Sequence, residues 1–248
     1  MMGKASLVPE LLSLTDWRIE PVGDRCLQIR LGEQVSVAVS QIVHAVTACL
    51  LQQQWPGVRD VVPAFTTVAV HYRPELFPRD EGPAFAQLAA RIRELLVDGV
   101  PAVAQSGRVV DVPACYGGEY GPDLDDVARA CDIDTAEVIR LHGATPLVLY
   151  TFFFSPGNPF AGPLHPRLNV PRRATPRTLV PAGSVAIANG ISSIYQDASP
   201  GGWNVIARTP WNLFHVDRDP PTRLQIGDRL RFVPITPAEF DAMLEPRR

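Results

Sequence analysis

Three arginines within six residues, Arg172, Arg173 and Arg177, are the side chains of this sequence best equipped to hold an anion. A guanidinium is a planar fork of donors that pairs bidentately with carboxylate or phosphate. The three sit in Pro171-Arg172-Arg173-Ala174-Thr175-Pro176-Arg177. Ser155-Pro156-Gly157 precedes that segment and Ser199-Pro200-Gly201-Gly202 follows it. In each Ser-Pro-Gly, proline presets φ, glycine accepts a positive φ and serine bonds back to the backbone, which predicts a tight turn. Turns of this kind aim N–H groups outward, where an anion can be received. The combination predicts a site for a small anionic ligand on rigid loops. The competing reading is a solvated basic loop. Stiffening by Pro171, Pro176 and Pro181 favours an ordered one.

Other candidates are less specific. Glu119, in the glycine-rich turn Tyr116-Gly117-Gly118-Glu119-Tyr120-Gly121, is placed to be a general base or to stabilise the turn. His165 and His215 fall in loops, and His165 lies nearer the arginines in sequence. His44 falls inside a helical pattern and His71 ends a strand. His142 falls at the end of a helical pattern, where a cation suits the dipole. Cys26, Cys49, Cys115 and Cys131 show neither a C-x-x-C pair nor zinc spacing, so they read as reduced structural thiols in a cytoplasmic protein, with no metal. The sequence contains no Walker A loop, no G-x-G-x-x-G and no G-x-S-x-G around Ser155 or Ser184, which argues against a self-contained nucleotidase or serine hydrolase.

The elements that must position these residues fall into two groups. Residues 17–31 read as two strands around Gly23-Asp24. Residues 36–54 read as a helix ended by Pro56-Gly57, and 58–72 as two strands broken near Pro63. A second helix opens at Pro83 and stops at Gly99. The order ββαββα predicts an α+β layer with helices on one side of a sheet. Residues 98–108, small and punctuated by glycine and proline, read as a linker between a domain over 1–100 and another over 109–248. In the second group, a strand at 109–116 leads to short helices at 123–131 and 134–142, with Asp134 and Glu137 resembling a capping box. Short strands between Pro/Gly turns follow, at 180, 184–187, 203–206 and 230–233. This pattern belongs to a β-barrel or sandwich.

The helix pair has helix-turn-helix spacing, but Asp123, Asp125, Asp126, Asp134 and Glu137 crowd it and only Arg140 is a fixed cation on its second helix. Together with a net charge of −3, this argues against nucleic acid or an anionic membrane as a partner. Pro9 and Glu10 stand where a signal peptide needs an apolar run. The longest apolar block, 147–154, is too short to span a bilayer.

Several motifs together resemble one family. They are Tyr116 through Ala128, Arg140-Leu141-His142, Ser155-Pro156-Gly157, Pro171-Arg172-Arg173 with Pro176-Arg177, and Pro181-Ala182-Gly183-Ser184-Val185. Ser199-Pro200-Gly201-Gly202-Trp203, Arg208-Thr209-Pro210, Leu213-Phe214 and Gly227-Asp228-Arg229 complete the set. The chain is similar to the B subunit (PxpB) of bacterial ATP-dependent 5-oxoprolinase, in the family also labelled allophanate hydrolase subunit 1 and including the sporulation kinase inhibitor KipI. The resemblance implies a C-terminal cyclophilin-like β-barrel, a KipA- or PxpC-like companion subunit and a PxpA-like third protein. It also implies ATP, with Mg held through the complex, and a small anionic substrate. It implies a pocket shaped by Ser155, Gly157, Asn158, His165, Ser184, Ser199, Gly201 and Gly202 around Arg172, Arg173 and Arg177. The activity implied is that of an ATP-dependent amidohydrolase subunit. The alternative is a regulator like the kinase inhibitor, with a biotin-dependent carboxyltransferase module ranking third. Departures from the family pattern fall at Asn158, His165 and Ile191-Ser192-Ser193, inside the expected pocket.

Overall fold

The computed structural model describes residues 11–102 and 107–245. Pro9 and Glu10, and residues 103–106 of the expected linker, lie outside them. The chain divides into two compact units, Met1–Gln105 and Ser106–Arg248.

In the first unit, β1 (Leu11–Leu12) is followed by β2 (Arg18–Pro21), β3 (Cys26–Arg30), α1 (Val37–Gln53), β4 (Val58–Pro63), β5 (Thr67–Tyr72), α2 (Ala84–Leu96) and β6 (Val100–Pro101). The four longer strands form an antiparallel sheet in the order β2-β3-β5-β4. Alternation along β3 and β5 buries Leu27, Ile29, Val68 and Val70. These pack with Val43, Val46 and Leu50 of α1 and with Leu88 and Ile92 of α2. The i, i+3, i+4 spacing of the helical residues makes that stripe. Ser36 caps α1 by accepting the Val39 N–H at 3.2 Å, and Gln54 ends it in the left-handed region at φ 47°. The ββαββα order stands as expected. The sequence pattern gave no sign of β1, which pairs with β6, so the start of the segment expected as linker is strand.

The second unit is built on β7 (Val109–Tyr116), β8 (Leu147–Phe152), β9 (Pro159–Gly162), β10 (Arg177–Val180), β11 (Ser184–Ala188), β12 (Ile191–Ile194), β13 (Ser199–Gly201), β14 (Asn204–Arg208) and β15 (Arg229–Pro234). Seven of these close into a barrel in the order β11-β12-β9-β8-β15-β7-β14. β15 seals it by pairing in parallel with β7 and antiparallel with β8. Leu149, Val185, Ile187, Ile206, Leu230 and Phe232 fill the interior. Helices α3 (Leu124–Ala130) and α4 (Thr135–Ala144) add Leu124, Val127, Val138 and Leu141 to the same core. A last helix, α5 (Pro237–Met243), opens on a full capping box between Thr236 and Glu239. The box expected at α4 is only half made. Asp134 accepts the Glu137 N–H at 2.7 Å, but the Glu137 carboxylate turns to Arg140 at 2.6 and 2.8 Å. Among the described residues, no helix is long and apolar enough to cross a membrane.

Candidate functional site

The two Ser-Pro-Gly triplets fold differently. At Ser155-Pro156-Gly157 the turn forms: Gly157 takes φ 76° and the Asn158 N–H returns to the Ser155 carbonyl at 3.1 Å. Asn158 is buried and staples this loop. Its Nδ2 donates to the Phe153 carbonyl at 3.1 Å and its Oδ1 accepts the Gln196 N–H at 3.3 Å. Ser199-Pro200-Gly201, by contrast, is β13, an edge strand paired with β10. The expected turn is absent there. Pro200 tolerates the strand because its missing N–H falls on the exposed side of a two-stranded ribbon. Gly201 is required for space, not for φ, since an added Cβ would strike the ring and hydroxyl of Tyr195.

The β10–β13 ribbon lies over the outer wall of the barrel, where Val180, Ala186 and Val205 pack with Tyr195 and Trp203. From Trp203 a row of aromatic rings runs to the Ser155 loop. Phe160 meets Trp203 edge-on with centroids 5.4 Å apart, and Phe153 meets Phe160 at 6.0 Å. The row thus links the two triplets. Burial pushes the Tyr195 hydroxyl's pKa up, while the Trp203 backbone and the charges of Arg172 and Arg177 pull it partly back.

The arginine loop has its own anion. Asp123, one residue ahead of α3, is buried with a side-chain exposure of 2%. One oxygen accepts from Arg173 Nη1 at 2.5 Å and from Arg177 Nη2 at 2.7 Å. The other accepts from Arg177 Nη1 at 2.7 Å and from the Val205 N–H at 2.7 Å. The Arg173 N–H is fixed on the Gly202 carbonyl at 2.7 Å. A protein carboxylate therefore occupies both Nη groups of Arg177 and Nη1 of Arg173, while Arg173 Nε is buried without a hydrogen-bond partner among the described residues. Pairing with Asp123 raises the Arg177 pKa further. Arg172, beside Arg173 in the same loop, is exposed and has no hydrogen bond or ion pair among the described residues.

The remaining candidates scatter. Ser184 is buried at the start of β11, where its carbonyl accepts the Tyr195 N–H at 2.9 Å. His165 is exposed at the entrance to the 3₁₀ turn Pro166–Leu168, and its Nδ1 accepts the Arg167 N–H at 3.3 Å. Glu119 is exposed in the turn before α3, near Tyr120 and Cys115, and no described contact joins it to the arginine loop. That turn depends on Gly121, where an added Cβ would collide with the Ile206 carbonyl oxygen and the Gly117 nitrogen. We expect Gly121→Ala to destabilise the barrel by about 1–3 kcal/mol through overpacking, seen as a shifted urea midpoint.

His142 is corrected outright. Expected as a cation at a helix end, it is instead buried at 1% exposure and stacked on Phe232 at 4.3 Å. Its Nδ1 bonds the Tyr116 hydroxyl at 2.7 Å and its Nε2 the Ser192 hydroxyl at 2.9 Å. Burial lowers its pKa from 6.5 to about 3, so the ring is neutral.

This geometry can be set beside known proteins. Residues 17–224 match the family described as carboxyltransferase domain, subdomain C and D. The B subunit of 5-oxoprolinase from Bacillus subtilis is 37% identical over 233 residues, which is 92% of this chain and 97% of that protein. The protein of the same name from Escherichia coli O157:H7 is 35% identical over 214 residues, 86% of this chain and 94% of its own. Among solved structures, TTHA0988 shares the fold with a TM-score of 0.73 and 32% identity. That match covers 85% of this chain and 40% of TTHA0988, so this chain spans about two-fifths of its length. The chain belongs to the carboxyltransferase subdomain C and D family, alongside the B subunits of 5-oxoprolinase.

Proposed function

We propose that this chain is the B-type component of an ATP-dependent hydrolase that opens the amide bond of 5-oxoproline or a related small anionic amide. The observation that carries the reading is near end-to-end identity of 37% with a protein named as the B subunit of 5-oxoprolinase. A name of that form belongs to a multi-subunit assembly, which supports a KipA- or PxpC-like companion and a PxpA-like third protein as partners. The Asp123–Arg173–Arg177 cluster bears on how the work is divided. A triphosphate held by arginines draws on guanidinium forks that are not already paired. Two of the three arginines here are already paired to a carboxylate. That pairing supports a division of labour in which the nucleotide is held by the companion subunit. What this chain contributes is an aromatic-edged barrel wall whose arginine loop has one guanidinium, Arg172, without a hydrogen bond or ion pair among the described residues.

The test is co-expression with the companion subunits, then size-exclusion chromatography and an assay of ATP-dependent conversion of 5-oxoproline to glutamate. The chain alone is expected to show little or no turnover, and the assembly to elute together and turn over. Full turnover by the isolated chain, with separate elution of the others, would sink the proposal. A stable complex that binds without any turnover supports the regulatory alternative. The exposed rings of Phe153 and Phe154, at 59% and 72%, favour that reading as a protein-docking tip.

A further inference from the structure

A cavity of about 390 Å³ opens between α3 and the loop over residues 170–175. Val127, Ala130, Val170 and Ala174 give it an apolar wall, and Arg172 and Thr175 contribute polar groups. Its charges can be assigned one at a time. Arg173 lines it and shares the single Asp123 carboxylate with Arg177, so that cluster keeps one net positive charge. Asp126 lines it from α3 and is paired with Arg129 at 2.8 Å. Arg172 alone has no counter-charge among the described residues. The lining thus presents one available guanidinium beside an apolar surface, with a carboxylate at the same opening.

We infer that this cavity receives the carboxylate end of a compact organic monoanion, that Arg172 is its ligand, and that polyphosphates are turned away. A single carboxylate matches one guanidinium fork in charge and geometry. A triphosphate would bring several negative charges to one unpaired guanidinium and set them against Asp126, and such unmatched like charges discriminate between ligands. Asp123 then acts as a positioning residue. By drawing Arg173 and Arg177 inward, it holds the loop so that Arg172 faces the cavity.

The choice of probe rests on the function proposed above. The full chain is titrated calorimetrically with 5-oxoproline, inorganic phosphate and ATP. Binding of 5-oxoproline that ATP fails to displace is expected. Arg172→Ala should weaken it about 10- to 100-fold, the loss of one charge-assisted fork, with an unchanged melting temperature. Arg172→Lys should recover only part, because an ammonium lacks the fork. Equal affinity in Arg172→Ala, displacement by ATP, or no binding of 5-oxoproline to the wild-type chain overturns the inference. The two proposals fail separately. An assembly that turns over 5-oxoproline with an unaltered KM in Arg172→Ala refutes the cavity and leaves the function standing. Arg172-dependent binding without turnover in any assembly does the reverse.

Discussion

Replacing Asp123 by asparagine is expected to cost the barrel about 3 kcal/mol. Removing one partner of a buried ion pair typically costs about 3–5 kcal/mol, because the other charge is left buried and unmatched. Here two guanidinium groups lose their counter-ion together. Arg173 and Arg177 keep side-chain exposures of 29% and 27%, so water recovers part of the loss and the lower end of that range applies. Asparagine keeps an oxygen for the Val205 N–H and isolates the effect of charge. For a unit of this size the loss corresponds to a melting temperature lower by about 6–12 °C. Glu137→Gln, which breaks the exposed pairs with Arg140 and Arg167, should leave the melting temperature nearly unchanged. Equal effects of the two substitutions would show that the Asp123 cluster is no more than a surface ion pair.

The second large effect is one of pH. His142 holds its proton near pH 6.5 when unfolded and only near 3 when folded. Between those values the unfolded state binds a proton that the folded state refuses. Stability is therefore fully present above about pH 6.5 and falls as the pH drops, by at most about 1.4 kcal/mol per unit. Asp111, Glu137 and Glu239 have pKa values held below their ordinary ones by hydrogen bonds, so they add to the same loss, but only once the pH approaches the ordinary carboxylate range. The slope between pH 6.5 and about 5, above the carboxylate range, belongs to His142 and should amount to about 1.5 kcal/mol. Denaturant titrations across that range should show it. His142→Gln should be less stable at neutral pH and nearly flat across the same window. An unchanged slope in that variant would place the titrating group elsewhere.

Much of this structure was legible in the residues. The helical reading of residues 36–54 gave α1, which runs Val37–Gln53 and ends at a left-handed Gln54, ahead of Pro56-Gly57. Residues 58–72 read as two strands broken near Pro63, and they form β4 and β5. Short apolar runs between Pro/Gly turns left a barrel and a sandwich open, and the closed barrel is the form the family resemblance implied. The site was less legible because its decisive partner lies 50 residues before Arg173 in sequence and meets it only once the barrel has closed. Nothing in the local pattern of Asp123 separates it from exposed Asp125 and Asp126. His142 did carry a signal. It stands four residues after Val138 and beside Leu141, both buried, so the helical period puts it on the inner face. A place in the last turn suits a cation to the dipole but does not decide which face of the helix the side chain takes. The two Ser-Pro-Gly triplets show a further limit. The same three residue types became a turn where Gly157 was free to take a positive φ, and a strand where Tyr195 lay flat against Gly201.

The pairing of β7 with β15 has a consequence for synthesis. Asp111 in β7 and its ion-pair partner Arg231 in β15 are 120 positions apart, and the strands between them make the rest of the wall. During translation β7 and β8 emerge early and wait, each with one ladder edge unpaired, until Arg229–Pro234 leaves the ribosome. Such edges are templates for pairing with another chain. A nascent chain stalled before Arg229 would carry two of them at once. The same long-range closure favours slow folding, since the entropy of joining distant segments is lost before their contacts form. A holdase working on the nascent chain would therefore matter most in the interval between the emergence of β8 and that of β15.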